Sequence, residues 1–163
     1  MPFSSGHWKP EEKQPLAVTD MLREFVKGIP KPQPRVKAFS RGGKAGVYTP
    51  DSHPLREWRY SIISELQRHK DKNLDGAIEV ALEFYLPRPK SHYRTGKYAH
   101  MLKNDAPRYV VKKPDVDNLA KLVMDELSNM RYWKDDSQVV ALKVTKDYDD
   151  VLDAGCRITT RVL

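Results

Sequence analysis

The chain carries a single cysteine, Cys156, which excludes an internal disulfide and a cysteine-rich zinc site and fits a reducing compartment. It has no apolar run long enough to cross a bilayer and no charged-then-apolar leader, so neither a membrane partner nor export is expected. No internal repeat is visible. The glycine-rich stretch Arg41-Gly42-Gly43-Lys44-Ala45-Gly46 lacks the spacing of a phosphate-binding loop and the Ser or Thr after the lysine. It reads as a flexible loop, and no nucleotide cofactor is expected. Five scattered histidines show no ligand spacing; His92 and His100 read as surface groups or backbone contacts rather than a second metal site. The acidic run Asp147, Asp149, Asp150 and Asp153 lacks an EF-hand pattern.

What is present is a 163-residue chain, 39% hydrophobic and 31% charged, enough for one domain with a proper core. Its net charge of +7 and pI near 9.4 point to a polyanionic partner. Between Pro87 and Lys113 eight cations (Arg88, Lys90, Arg94, Lys97, Lys103, Arg108, Lys112 and Lys113) face one carboxylate, Asp105. The remainder of the chain balances, so the whole excess sits in that segment.

Residues 1–20 are polar and proline-bearing and read as a loosely ordered tail; residues 21–163 read as the domain. A first strand is expected over 23–29, with Phe25 and Ile29 on one face, followed by a stiff proline-rich path over 30–35. Ser52 can cap a helix that places Leu55, Trp58, Ile62, Ile63 and Leu66 on one face as far as about His69. Ile78, Val80, Leu82, Phe84 and Leu86 alternate as a half-buried strand. A second helix is expected over 115–129, with Leu119, Leu122, Val123, Leu127 and Met130 as its stripe, and Tyr132 and Trp133 closing the core behind it. Val140, Leu142 and Val144, then Cys156, Ile158, Thr160 and Val162, form two further strands, joined as a hairpin. The order is β-α-β-α-β-β: a small α+β domain with two helices packed on a mixed sheet.

The chemistry concentrates at Lys113-Pro114-Asp115-Val116-Asp117-Asn118-Leu119-Ala120-Lys121. One aspartate at a helix start is ordinarily a cap that complements the helix dipole. Here there are two, entered from the basic segment, with Lys121 one turn after Asp117 on the same face. A further pair, Asp135-Asp136, follows the helix, where a short return would bring it back alongside. Hard cations such as Mg²⁺ take carboxylate oxygens, polarise phosphate and acidify water, and a nearby lysine stabilises developing charge. Asp125 reads as a partner of Lys121. Either Asp135 or Asp136 can supply a third carboxylate.

The same residues, continued by Asp125-x-Leu127 and Trp133-Lys134-Asp135-Asp136-Ser137-Gln138-Val139-Val140, resemble the signature of the RusA-type Holliday-junction resolvases. Gly28-Ile29-Pro30-Lys31-Pro32, Tyr48-Thr49-Pro50 and Pro89-Lys90-Ser91-His92-Tyr93 add weaker likeness. The likeness spans roughly residue 23 onward. The opening loop departs from the family's fuller run of prolines and cations, and the tail aligns with nothing. The resemblance implies a dimeric, Mg²⁺-dependent endodeoxyribonuclease of phages, prophages and bacteria, with Mn²⁺ as a substitute ion. It implies Asp115, Asp117 and Asp136 as metal ligands, chosen over Asp135, and Lys121 as the catalytic lysine. It further implies paired nicks in four-way junctions during recombination and repair, in the bacterial or infected-host cytoplasm. Arg35, Lys37, Lys90, Arg94, Lys97, Lys112 and Lys113 are the expected DNA contacts, with Tyr93, Tyr98 and Tyr109 interleaved. The competing readings are a branched-DNA-binding module that does not cut and a nuclease for flaps or RNA.

Overall fold

A computed structural model describes residues 20–163. Six strands and two helices follow in the order β1 (Asp20–Lys27), β2 (Lys37–Arg41), β3 (Lys44–Tyr48), α1 (His53–Leu66), β4 (Ile78–Leu86), α2 (Val116–Asn129), β5 (Val139–Tyr148) and β6 (Gly155–Val162). The class is α+β with a mixed sheet, as the periodicity indicates. The expected tail lies outside the described residues, except that β1 already begins at Asp20.

The main sheet has the order β1-β6-β4-β5, with β6 antiparallel to both neighbours and β5 parallel to β4. Strands β5 and β6 therefore do not form the expected hairpin. The acidic link instead carries the chain past β4, and β6 enters between β4 and β1. Strict alternation makes β4 central: Ile78, Val80, Leu82, Phe84 and Leu86 are all buried. They pack against Leu55, Trp58, Ile62 and Leu66 of α1 and against Leu119, Leu122, Val123 and Leu127 of α2. Each such side chain contributes about 1.5–3 kcal/mol on burial. Ion pairing between Arg59 of α1 and the buried Glu126 of α2, 2.9 Å apart, ties the helices together. Burial raises the Glu126 carboxyl above its ordinary value, and Arg59 partly opposes that rise.

Three further expectations change. β1 buries Leu22 and Val26, not Phe25 and Ile29; Phe25 meets Tyr85, with ring centroids 6.1 Å apart, and Ile29 lies exposed beyond the strand. The strand ends at Lys27, so Ile29 is not part of its alternation, and the buried face is the even-numbered one shared by Leu22 and Val26. Strand β5 is an edge strand whose pairing with β4 shifts register between Val139 and Ala141, and Val140 and Leu142 stay exposed despite their alternation. The stretch around Gly42-Gly43 is a two-stranded ribbon, β2–β3, so the order gains a hairpin before α1. Gly42 and Gly43 have φ of 58° and 74°, the left-handed pair that a two-residue hairpin turn requires.

Trp58, Tyr132 and Trp133 are core side chains, and Tyr132 shares a buried 2.6 Å hydrogen bond with Thr160 of β6. Cys156 is buried, and burial pushes its thiol well above the ordinary range.

Candidate active site

Helix α2 starts where the basic segment ends. Asp115 occupies the N-cap position with extended backbone, and its carbonyl accepts the Leu119 N–H at 3.1 Å, but its side chain makes no capping bond. The ordinary explanation for an aspartate here therefore fails at the carboxylate, which is left for another partner. Arg35 approaches it at 3.9 Å. Asp117 lies exposed in the first turn. Lys121, one turn on, donates to both oxygens of Asp125 at 3.2 Å, the pairing expected from their spacing.

Two residues fix the backbone at this helix start. Gln33 donates its N–H to the Asn118 carbonyl at 2.8 Å, which lays the proline-rich segment across the start of α2. Lys146 of β5 donates its ammonium to the carbonyls of Lys112 and Pro114, each at 2.9 Å. Lys146 was missed in the sequence. Its signal was a lysine in phase with Val144 and paired with core Phe84, a position that calls for buried acceptors.

The acidic pair after α2 divides its labour. Asp135 caps the 3-10 turn Asp136–Gln138: it accepts the Ser137 N–H, while the Gln138 side chain accepts the Asp135 N–H. The Ser137 bonds hold its carboxyl below the ordinary carboxylate range. Asp136 instead accepts from the Trp133 indole N–H at 2.7 Å and from the Ser128 hydroxyl. Trp133 thus has a polar role beside its place in the core, also missed in the sequence. These bonds orient one oxygen of Asp136 and leave the other free of protein hydrogen bonds among those described.

The return that would bring Asp136 alongside Asp117 does not occur within the chain. Ser128 lies eleven residues after Asp117, about 16 Å along the helix axis at 1.5 Å per residue. Both residues share one helical face, within about 20° at 100° per residue. Asp136 therefore stands at the far end of the stripe that begins with Asp117 and Lys121. Among the described residues no three carboxylate, imidazole or thiolate side chains stand close enough to hold one metal ion.

The basic segment is more structured than a solvated loop. Arg88 is buried, doubly bonded to Asp150 at 2.6 and 2.7 Å, bonded to the Pro107 carbonyl and stacked 3.9 Å from the Tyr148 ring centre. Arg94 braces the same segment through Asn104 and the Leu102 carbonyl. Lys90, Lys97, Lys112 and Lys113 remain exposed. His92 packs edge-on against Tyr148.

A second basic stretch escaped notice because the rest of the chain sums to zero. Residues 25–50 carry Lys27, Lys31, Arg35, Lys37, Arg41 and Lys44 and no carboxylate. Arg35 and Lys37 lie in it, at the root of the β2–β3 ribbon.

Carboxylates and a lysine at a helix start, flanked by two cationic segments on a small α+β scaffold, are residue types suited to the class of enzymes that cut nucleic-acid backbones. The family model described as endodeoxyribonuclease RusA matches residues 27–160. The chain belongs to the RusA endodeoxyribonuclease family, whose nucleases are generally divalent-metal dependent. It is 32% identical over 131 residues to the uncharacterized protein YqaN of Bacillus subtilis strain 168, covering 80% of this chain and 90% of that protein. It is 26% identical over 129 residues to the crossover junction endodeoxyribonuclease rusA of Lactococcus phage r1t, covering 76% and 78%. No helix among the described residues is long and apolar enough to cross a membrane.

Proposed function

We propose that the protein is a Mg²⁺-dependent endodeoxyribonuclease that acts as a homodimer on four-way DNA junctions, nicking opposed strands. The observation that carries the reading is the start of α2. Within a chain of this family, Asp115 holds the cap position without capping, Asp117 follows in the first turn, and Lys121 stands one turn beyond. Mn²⁺ can substitute for Mg²⁺. The setting is recombination and repair in the cytoplasm, bacterial or of an infected host.

Uncapped, exposed carboxylates suit a hard cation that keeps several waters. Asp115 and Asp117 would hold it from one chain. The about 16 Å between the ends of the stripe supports Asp136 arriving from a second copy, with α2 helices antiparallel about a two-fold axis. Each dimer then has two such sites. A divalent ion held there supplies charge neutralisation at the scissile phosphate and activation of water. Lys121, held by Asp125, presents an ammonium to the charge that develops on the phosphate and leaving oxygens. Trp133 and Ser128 keep Asp136 oriented. Lys146 holds the backbone ahead of Asp115. Arg35, Lys37, Lys90, Arg94, Lys97, Lys112 and Lys113 hold the DNA backbone against an otherwise repellent acidic site.

The test compares the wild type with Asp117→Asn on a synthetic four-way junction, in Mg²⁺ and in EDTA. Nicking by the wild type in Mg²⁺ alone is expected. Equal nicking by both proteins would sink the metal site. Binding without nicking would leave a branched-DNA module, and cutting of flaps with junctions ignored would shift the substrate.

A further inference from the structure

The β2–β3 ribbon has two unlike faces. Cross-strand partners share a face, so Lys37 with Tyr48, Phe39 with Gly46 and Arg41 with Lys44 project to one side. Ala38, Val47, Ser40 and Ala45 project to the other. Every cation and both aromatic rings of the ribbon lie on the first face. Its strand residues are exposed apart from half-buried Gly46, and that exception has a cause. A Cβ at Gly46 would stand 2.7 Å from the Phe39 ring, so the ring lies flat across the glycine instead of standing off the ribbon. Tyr48 meets Phe39 edge-on, with ring centroids 6.3 Å apart, and both side chains remain 48% exposed.

Two adjacent, half-exposed rings framed by cations make a stacking platform, and the charge selects the partner. Residues 25–50 hold six cations and no carboxylate. The ribbon's root lies at the candidate active site through Arg35 beside Asp115 and Gln33 on Asn118. Five-residue strands carry the face about 17 Å from that root.

We propose that this face is a further DNA-contact surface, which continues outward from Lys37 and takes the strand leaving the active site at the branch point: Arg41 and Lys44 on its phosphates, Phe39 and Tyr48 against its unstacked bases. Paired duplex offers no free base faces, so the rings act on branched or single-stranded DNA and the cations on any DNA. The inference rests on the branched-DNA reading for its selectivity only.

Binding is measured in EDTA, without cleavage, on a four-way junction and on blunt duplex of equal length, for the full chain. The double variant Phe39→Ala/Tyr48→Ala should weaken junction binding by about ten-fold or more and leave duplex binding within about two-fold. Arg41→Ala/Lys44→Ala should weaken both and lower the salt slope by about two. Thermal melting and sedimentation should match the wild type, since all four side chains are exposed. Unchanged DNA binding in both variants would overturn the proposal. So would a shift from dimer to monomer, which would make the ribbon an arm between copies. If the wild type itself does not prefer junctions, the branched-substrate reading fails. The ribbon is then judged by the Arg41→Ala/Lys44→Ala loss on duplex.

Discussion

Complementation between two inactive variants tests whether one ion is held by two chains. Ligand oxygens on one Mg²⁺ stand at most about 4 Å apart, twice the usual bond length. The stripe on α2 separates Asp117 from the Ser128 end, where Asp136 is bonded, by about 16 Å. No side-chain rotation closes that gap, but in the proposed dimer a two-fold axis near the middle of α2 would. In a heterodimer of Asp117→Asn with Asp136→Asn, one composite site then carries both substitutions and the other carries neither. Random pairing makes about half the dimers mixed, so about a quarter of all sites recover. The assay uses a plasmid cruciform and differently tagged, co-expressed chains. Paired cuts linearise the plasmid, whereas mixed dimers should yield open circles alone. Asp115→Asn paired with Asp117→Asn should recover nothing, because both residues lie at the same end. A purified Asp117→Asn/Asp136→Asn heterodimer as inactive as either homodimer would refute the shared site.

Three other outcomes follow from particular contacts. Lys146→Met removes two charge-assisted bonds to the carbonyls ahead of Asp115, together worth about 3–6 kcal/mol; with roughly half of that lost at the reacting geometry and the rest as stability, kcat for nicking should fall about ten- to hundred-fold with KM little changed, as steady-state kinetics checks. Trp133→Phe keeps an aromatic ring in the core but removes a donor from Asp136, so the Mg²⁺ concentration for half-maximal nicking should rise several-fold, read by metal titration. Glu24 is lowered in pKa first by its bond to Arg68 and further by His69. Its contribution is present above its unfolded pKa and is lost as pH falls through the lower folded value. Glu24→Gln should therefore lower Tm at pH 7, and the difference from the wild type should shrink as the pH falls below the ordinary carboxylate range, as calorimetry would show.

Periodicity was informative wherever an element has one wet and one dry face. Strand β4 and helices α1 and α2 stand where alternation and the helical stripe put them, because burial on one side enforces both patterns. It failed at the edges. Val140 and Leu142 alternate like core residues, yet whether a helix covers them is a tertiary matter. The stretch around Gly42-Gly43 reads as a loop because its short flanking strands have no buried face and so carry no hydrophobic period. Pairing order was not legible either: nothing local to the acidic link tells β6 to pass β5 and insert between β4 and β1. At the candidate site, the residue types and their spacing on α2 could be read directly. Which of Asp135 and Asp136 serves as a cap depended on Trp133, Ser128 and Gln138, contacts between side chains whose approach the sequence does not encode locally.

The position of β6 also governs how the protein emerges from the ribosome. Strand β1 is made among the first described residues and β4 midway, yet the strand that joins them, 155–162, comes more than a hundred residues after β1. Until it arrives, both strands keep open edges facing the gap and the core lacks Cys156 and Ile158. Nascent chains are thus exposed to edge-to-edge association for most of their synthesis. Any message cut short before residue 155 yields an incomplete sheet under α2, and with it no rigid platform from which an endonuclease could act on its own cell's DNA.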